Sequence, residues 1–289
     1  MRPDAGATLI FCDSENNCAV PQLRTIPNFG LWLGILLRLT LKTRPEPAVE
    51  KSENVREPLW VVQEGRGAAP FVFVLAGYGD AWVATGLARS LGQDHPVYGL
   101  QPPGVPAKPG SARQMAAMYI ERLRGRQPHG PYFLGGYSAG AVIALEIAHQ
   151  LQTQGEEVRL VALLDPLFLR YTKFELRCYL GLQRACAVVA PIFGKQRHMK
   201  ILFAMFKDQG LDAHLTALAG YEPQTYNGEL VYYKARLSVF GTPMLIQRWK
   251  RIAPGRLKVV RVPGDHHTFI RPPHVAGLAR SLRSILQQP

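Results

Sequence analysis

From residue 59 to residue 287 the chain alternates short apolar runs with longer segments whose apolar residues recur at helical spacing. Residues 59–62 read as an edge strand, and 71–75 (Phe-Val-Phe-Val-Leu) are apolar at every position, the pattern of a strand buried on both faces. A glycine-bearing loop over 76–80 precedes a helix at 82–91, a strand at 96–100 and a helix at 115–124. Tyr132-Phe133-Leu134 then runs into Gly135 and Gly136, and a helical pattern follows from Gly140 to Leu151. Residues 158–164, 229–233 and 257–262 supply further strands, and 274–286 a last helix. Short apolar strands alternating with helices predict an α/β fold: a mostly parallel sheet with helices on both faces.

Two stretches break this rhythm. Residues 167–220 are helical in pattern, rich in Leu and aromatics, and too long for a simple connection, so they are expected to form a helical lid. Residues 43–58 hold Pro45, Pro47 and Pro58 among charged residues and read as a linker. The expected organisation is an N-terminal appendage and linker over 1–58, of unassigned role, and a catalytic domain over 59–289. Residues 29–41 form the most apolar early stretch, too short to span a bilayer. Packing as an ordinary helix is preferred there over peripheral contact with a membrane surface.

Composition adds partners and compartment. The 289 residues are 47% hydrophobic, enough for a large core, and carry a net charge of +13. That balance favours acidic partners, but no DNA- or RNA-reading motif accompanies it, so nucleic acid is not expected. Four cysteines in a chain this long do not make a disulfide framework, and no signal peptide is visible. The expectation is reduced thiols and a cytoplasmic protein.

The candidate chemistry centres on Gly136-Tyr137-Ser138-Ala139-Gly140, a G-x-S-x-G pattern between a strand and a helix. Such a turn lifts a serine hydroxyl above the sheet and sets the helix N-terminus beside it. Gly136 and Gly140 belong to this elbow because strand and helix approach too closely for side chains. A serine needs a base, and His266, on the loop after the last strand, sits where such a fold presents one. Its neighbour His267 cannot point at the same hydroxyl. The acid orienting the base is expected at Asp165, which ends the strand after the serine helix. The strand at 229–235 ends without a carboxylate, and Asp265 adjoins the histidine with a diverging side chain. An oxyanion hole needs two backbone donors: Ala139 for one, Leu75 or Ala76 for the other. The parts make a serine acyl-transfer enzyme that calls for no metal or other cofactor.

The same residues resemble the thioesterase domains that end nonribosomal peptide and polyketide synthases. The resemblance runs through Leu75-Ala76-Gly77-Tyr78-Gly79, Val97-Tyr98-Gly99-Leu100-Gln101-Pro102-Pro103-Gly104, the elbow, Leu163-Leu164-Asp165, Tyr221-Glu222-Pro223 and Val262-Pro263-Gly264-Asp265-His266. It implies an α/β-hydrolase fold with a helical lid, and a serine that receives an acyl chain from the phosphopantetheine thioester of an acidic carrier protein. The acid and base of that family match Asp165 and His266. Val74-Leu75-Ala76 departs from the His-Gly or Pro-Pro pair of many relatives. Nothing upstream resembles a carrier or condensation domain, so the chain reads as free-standing. Basic residues from Arg170 to Lys207 are expected to form a rim for the carrier. A general carboxylesterase and a catalytically idle docking module are the alternatives.

Overall fold

A computed structural model describes residues 11–12, 18–19, 58–66, 69–75, 77, 81–102, 110–166, 209–238 and 243–287. The chain divides into two compact units, Met1–Pro47 and Ala48–Pro289. In the first, β1 (Phe11–Cys12) pairs antiparallel with β2 (Cys18–Ala19), so that Cys12 lies opposite Cys18.

The second unit is built on a seven-stranded sheet. Its strands are β3 (Leu59–Gln63), β4 (Phe71–Val74), β5 (Val97–Leu100), β6 (Tyr132–Tyr137), β7 (Val158–Leu164), β8 (Leu230–Ala235) and β9 (Leu257–Val262). They lie in the order β3-β5-β4-β6-β7-β8-β9; β3 runs antiparallel to β5 and every other pair is parallel. This is the mostly parallel α/β architecture that the apolar runs predicted. Burial explains those runs, since every residue of β4 and β6 is buried. A parallel strand covered on both faces has no wet side on which to place polar residues.

The helices are α1 (Ala81–Leu91), α2 (Ala112–Arg124), α3 (Ala139–Thr153), α4 (Gln209–Leu218), α5 (Pro243–Ile252) and α6 (Val275–Leu286). Ser111 caps α2, its hydroxyl accepting from the N–H of Gln114 at 3.3 Å. α3 packs on β6, β7 and β4 and against α2, and α1 packs against α6. Adjacent residues of β8 show the two faces: Tyr232 meets Trp249 of α5, while Tyr233 meets Ser281 of α6.

Of the expected lid, residues 167–208 lie outside the described residues, as do 29–41 and the basic run from Arg170 to Lys207. The described end of the insertion is α4. The pattern of polar and apolar residues singled out no element between β8 and β9, yet α5 lies there. Its signals are Pro243 at the first helical position and the buried pair Trp249 and Ile252 one turn apart. Among the described residues no helix is long and apolar enough to cross a membrane.

Candidate active site

The sheet delivers Ser138 and Asp165 as neighbours. Tyr137 pairs with Leu164 across β6 and β7. One residue further, the Ser138 N–H donates to the Leu164 carbonyl at 3.0 Å, and the Asp165 N–H to the Tyr233 carbonyl at 2.9 Å. Both residues therefore sit at the C-terminal rim of the sheet, where α/β folds place their sites.

Each leaves its strand at a cost. Ser138 has φ 54° and ψ −119°, and Asp165 has φ 44°; they are the non-glycine residues of positive φ among those described. Side chains are strained in that region by about 1–3 kcal/mol, and such strain concentrates where a group must be presented in one direction. The closeness of α3 to the sheet explains the elbow's small residues. A Cβ on Gly136 would lie 2.4 Å from the Gly140 carbonyl oxygen, and one on Gly140 2.4 Å from that of Val74.

The third group arrives from the loop after β9. Gly264 turns that loop at φ 100°. The Asp265 carboxylate then accepts from the N–H groups of His267 at 2.9 Å and Thr268 at 3.0 Å. Asp265 therefore shapes the loop and does not orient the imidazole. Partial burial pushes its carboxyl up, but the N–H groups of Thr268 and His267, together with the Thr268 hydroxyl and the His267 ring, hold it below the usual carboxylate range. Further along the loop, the Arg271 guanidinium lies over the Trp82 ring of α1 at 4.2 Å.

The result joins three groups far apart in the chain. His266 Nδ1 lies 2.6 Å from Asp165 Oδ2, and His266 Nε2 lies 3.1 Å from Ser138 Oγ. A carboxylate can only accept, so Nδ1 carries the proton and Nε2 offers its lone pair to the serine hydroxyl. Asp165 is wholly buried, and its other oxygen accepts from the Ala235 N–H at 3.3 Å. The end of β8, which lacks a carboxylate of its own, thus contributes a backbone donor to one on β7.

The His267 ring stands nearly perpendicular to that of His266, with centroids 5.1 Å apart. Burial first, then the neighbouring His266 and the Arg271 guanidinium, push it down to about 3, so it stays neutral near pH 7. Of the oxyanion candidates, Ala139 opens α3, and its N–H has no acceptor within the helix. The Leu75 N–H donates to the Leu100 carbonyl at 2.9 Å as part of the sheet. It is therefore not available to a substrate in this arrangement, and Ala76 lies outside the described residues.

Two contributors were not singled out in the sequence. Tyr137 donates from its hydroxyl to the His266 carbonyl at 3.0 Å. Glu146, on the second turn of α3 and buried, accepts from Tyr221 Oη and, at 2.8 Å, from Gln150 Nε2. A lone carboxylate in the apolar run Ala-Val-Ile-Ala-Leu-Glu-Ile-Ala was the available signal for the second.

Comparison with known proteins gives this geometry its context. Residues 71–175 match the family profile described as the thioesterase domain. The chain is 25% identical over 264 residues to a dimodular nonribosomal peptide synthase of Bacillus subtilis (strain 168), covering 82% of this chain and 11% of that protein. It is 31% identical over 261 residues to chondramide synthase cmdD of Chondromyces crocatus, covering 75% and 7%. Among solved structures, the NocB thioesterase domain in covalent complex with a fluorophosphonate nocardicin G analog is 26% identical. That match has a TM-score of 0.57 and covers 76% of this chain and 96% of NocB. The chain thus spans a small part of the synthases it matches and nearly the whole of a single thioesterase domain.

Proposed function

Because the chain carries a thioesterase domain on the α/β-hydrolase fold, we propose that it is a serine acyl-transfer enzyme. It releases an acyl, peptidyl or polyketide chain held as a phosphopantetheine thioester on a carrier protein. The run from buried Asp165 through His266 to Ser138, at 2.6 and 3.1 Å, supports this reading more than any other observation.

Ser138 Oγ attacks the thioester carbonyl while its proton passes to His266 Nε2. The buried carboxylate of Asp165 keeps the Nδ1 proton in place and stabilises the imidazolium. The charge on the carbonyl oxygen is met by the N–H of Ala139 at the start of α3 and by that of Ala76. When the tetrahedral intermediate collapses, the carbon–sulfur bond breaks and the proton on Nε2 goes to the departing thiolate. Water or a nucleophile within the acyl chain then attacks the acyl-serine with His266 as base, regenerating Ser138.

Synthase relatives are the reason for naming a carrier protein as donor, and the chain's charge of +13 is the reason for expecting an acidic one. A thioester is expected to turn over faster than the matching oxygen ester, because a thiolate leaves with less help from an acid than an alkoxide does. The test is turnover of an acyl-pantetheine thioester and its oxygen ester, with fluorophosphonate labelling of the protein. The expected outcome is preference for the thioester and labelling that vanishes in Ser138→Ala. Labelling that persists in that variant would overturn the assignment.

A further inference from the structure

Tyr137 ends β6, is buried, and meets His266 in two independent ways. Its ring is stacked on the imidazole, with centroids 4.9 Å apart and planes 24° from parallel. Its hydroxyl donates to the His266 carbonyl at 3.0 Å, joining residues 129 positions apart. Phe269, in the same loop, packs against the Tyr137 ring at 6.2 Å.

Successive side chains of a strand point to opposite faces, so the residue before Ser138 would ordinarily point away from whatever the serine touches. The break at Ser138, φ 54° and ψ −119°, ends that alternation. Adjacent residues then reach one imidazole, Ser138 at the Nε2 edge and Tyr137 on the ring face. Asp165 holds Nδ1, and the His267 ring stands nearly perpendicular to the imidazole with centroids 5.1 Å apart.

We propose that Tyr137 is a positioning residue for the base, fixing the tilt of the His266 ring relative to Ser138 from within the strand end that carries Ser138. The proposal rests on the acyl-transfer reading of Ser138, His266 and Asp165. One peptide link separates the nucleophile from the residue that seats its base, so movement of the strand end carries both together. The aromatic face also lies against a ring that becomes positively charged when it accepts the serine proton, and such a face attracts a cation. That attraction is present in the transition state and absent while the imidazole is neutral, so it acts on kcat and not on KM.

The test uses the full chain with Tyr137→Phe and Tyr137→Leu, assayed on an acyl-pantetheine thioester. Phe keeps the stacked face and is expected to retain most of kcat. Leu removes the face and is expected to lower kcat by roughly 10- to 100-fold with KM unchanged. A Leu variant with the kcat of the unaltered protein, or a Phe variant as impaired as Leu, would overturn the proposal.

A second readout does not need the Leu variant to fold. The Cε1–H resonance of His266, assigned by its loss in His266→Gln, is expected upfield in both the unaltered protein and the Phe variant, shifted by the ring current of residue 137. An unshifted resonance would count against the stack. Ser138→Ala separates the two levels of the argument. Labelling that survives there removes the acyl-transfer reading itself, whereas labelling lost there but unaffected in Tyr137→Leu removes only the role of Tyr137.

Discussion

At the residue scale the site depends on which atom holds which proton. Asp165 can only accept, so it selects the His266 tautomer that leaves Nε2 free for Ser138. In Asp165→Asn the shape survives, but the amide can also donate and the charge is lost. We expect kcat on an acyl-pantetheine thioester to fall by roughly 10³- to 10⁴-fold while urea unfolding still shows a folded protein. His267 provides a pH prediction. Its folded value is pushed down to about 3 from an ordinary 6.5, by burial first. The unfolded chain therefore takes up a proton below about 6.5 that the folded chain refuses until about 3. The stability this residue contributes is complete above 6.5 and is lost as pH falls through that window. His267→Gln should flatten the decline of the urea midpoint between pH 6.5 and 4 by about one bound proton. An unchanged slope would show that other groups set the acid sensitivity.

At the scale of elements, α3 is the part on which the site depends. It lies so close to β4 and β6 that a Cβ on Gly140 meets two carbonyl oxygens, Val74 at 2.4 Å and Leu75 at 2.8 Å. Backbone atoms inside a sheet cannot swing aside, so the helix must lift. Gly140→Ala is expected to cost about 1–3 kcal/mol by urea unfolding and to slow fluorophosphonate labelling, since Ser138 moves with the helix. On the same helix, Glu146 is held by Tyr221, three residues beyond α4. Burial first, then the adjacent Glu146 carboxylate, push the Tyr221 hydroxyl above the usual tyrosine range, so it remains a donor at working pH. Tyr221→Phe removes that donor from a buried carboxylate and should lower stability by about 1–3 kcal/mol. A variant as stable as the original would show that water replaces the lost partner.

At the scale of the whole molecule, charge and domain division carry the predictions. The division between Pro47 and Ala48 falls inside the proline- and charge-rich stretch 43–58. We propose that the N-terminal unit is not required for the chemistry, so a chain beginning at Ala48 should label at Ser138 at an undiminished rate. Loss of labelling in a folded truncated chain would give the first unit a role in the site. If the proposed carrier is acidic, its attraction to a chain of net charge +13 is screened by salt, whereas a small neutral pantetheine substrate is not steered. Raising ionic strength should therefore lower kcat/KM for the carrier-bound thioester and leave the pantetheine thioester unaffected. Equal responses would remove charge from the account of partner recognition.

The amino-acid order alone determined the α/β class, most strands, and which serine, aspartate and histidine to examine together. Those features are local: wholly apolar runs of strand length, helical periodicity, and a glycine-flanked serine between the two. Helix α5 was not read from the sequence, because its apolar residues are separated by Arg and Lys and its burial depends on a Tyr232 supplied by β8. The tertiary structure alone decided that Leu75 donates its N–H to Leu100 and that Asp265 turns the loop. It also decided that Ala235 supports Asp165 and that Tyr137 lies against His266. Apart from the Asp265 turn, which is local to its loop, each is a contact between segments brought together by the pairing of the sheet. Register depends on how the whole sheet pairs and packs, and no local pattern of residues encodes it.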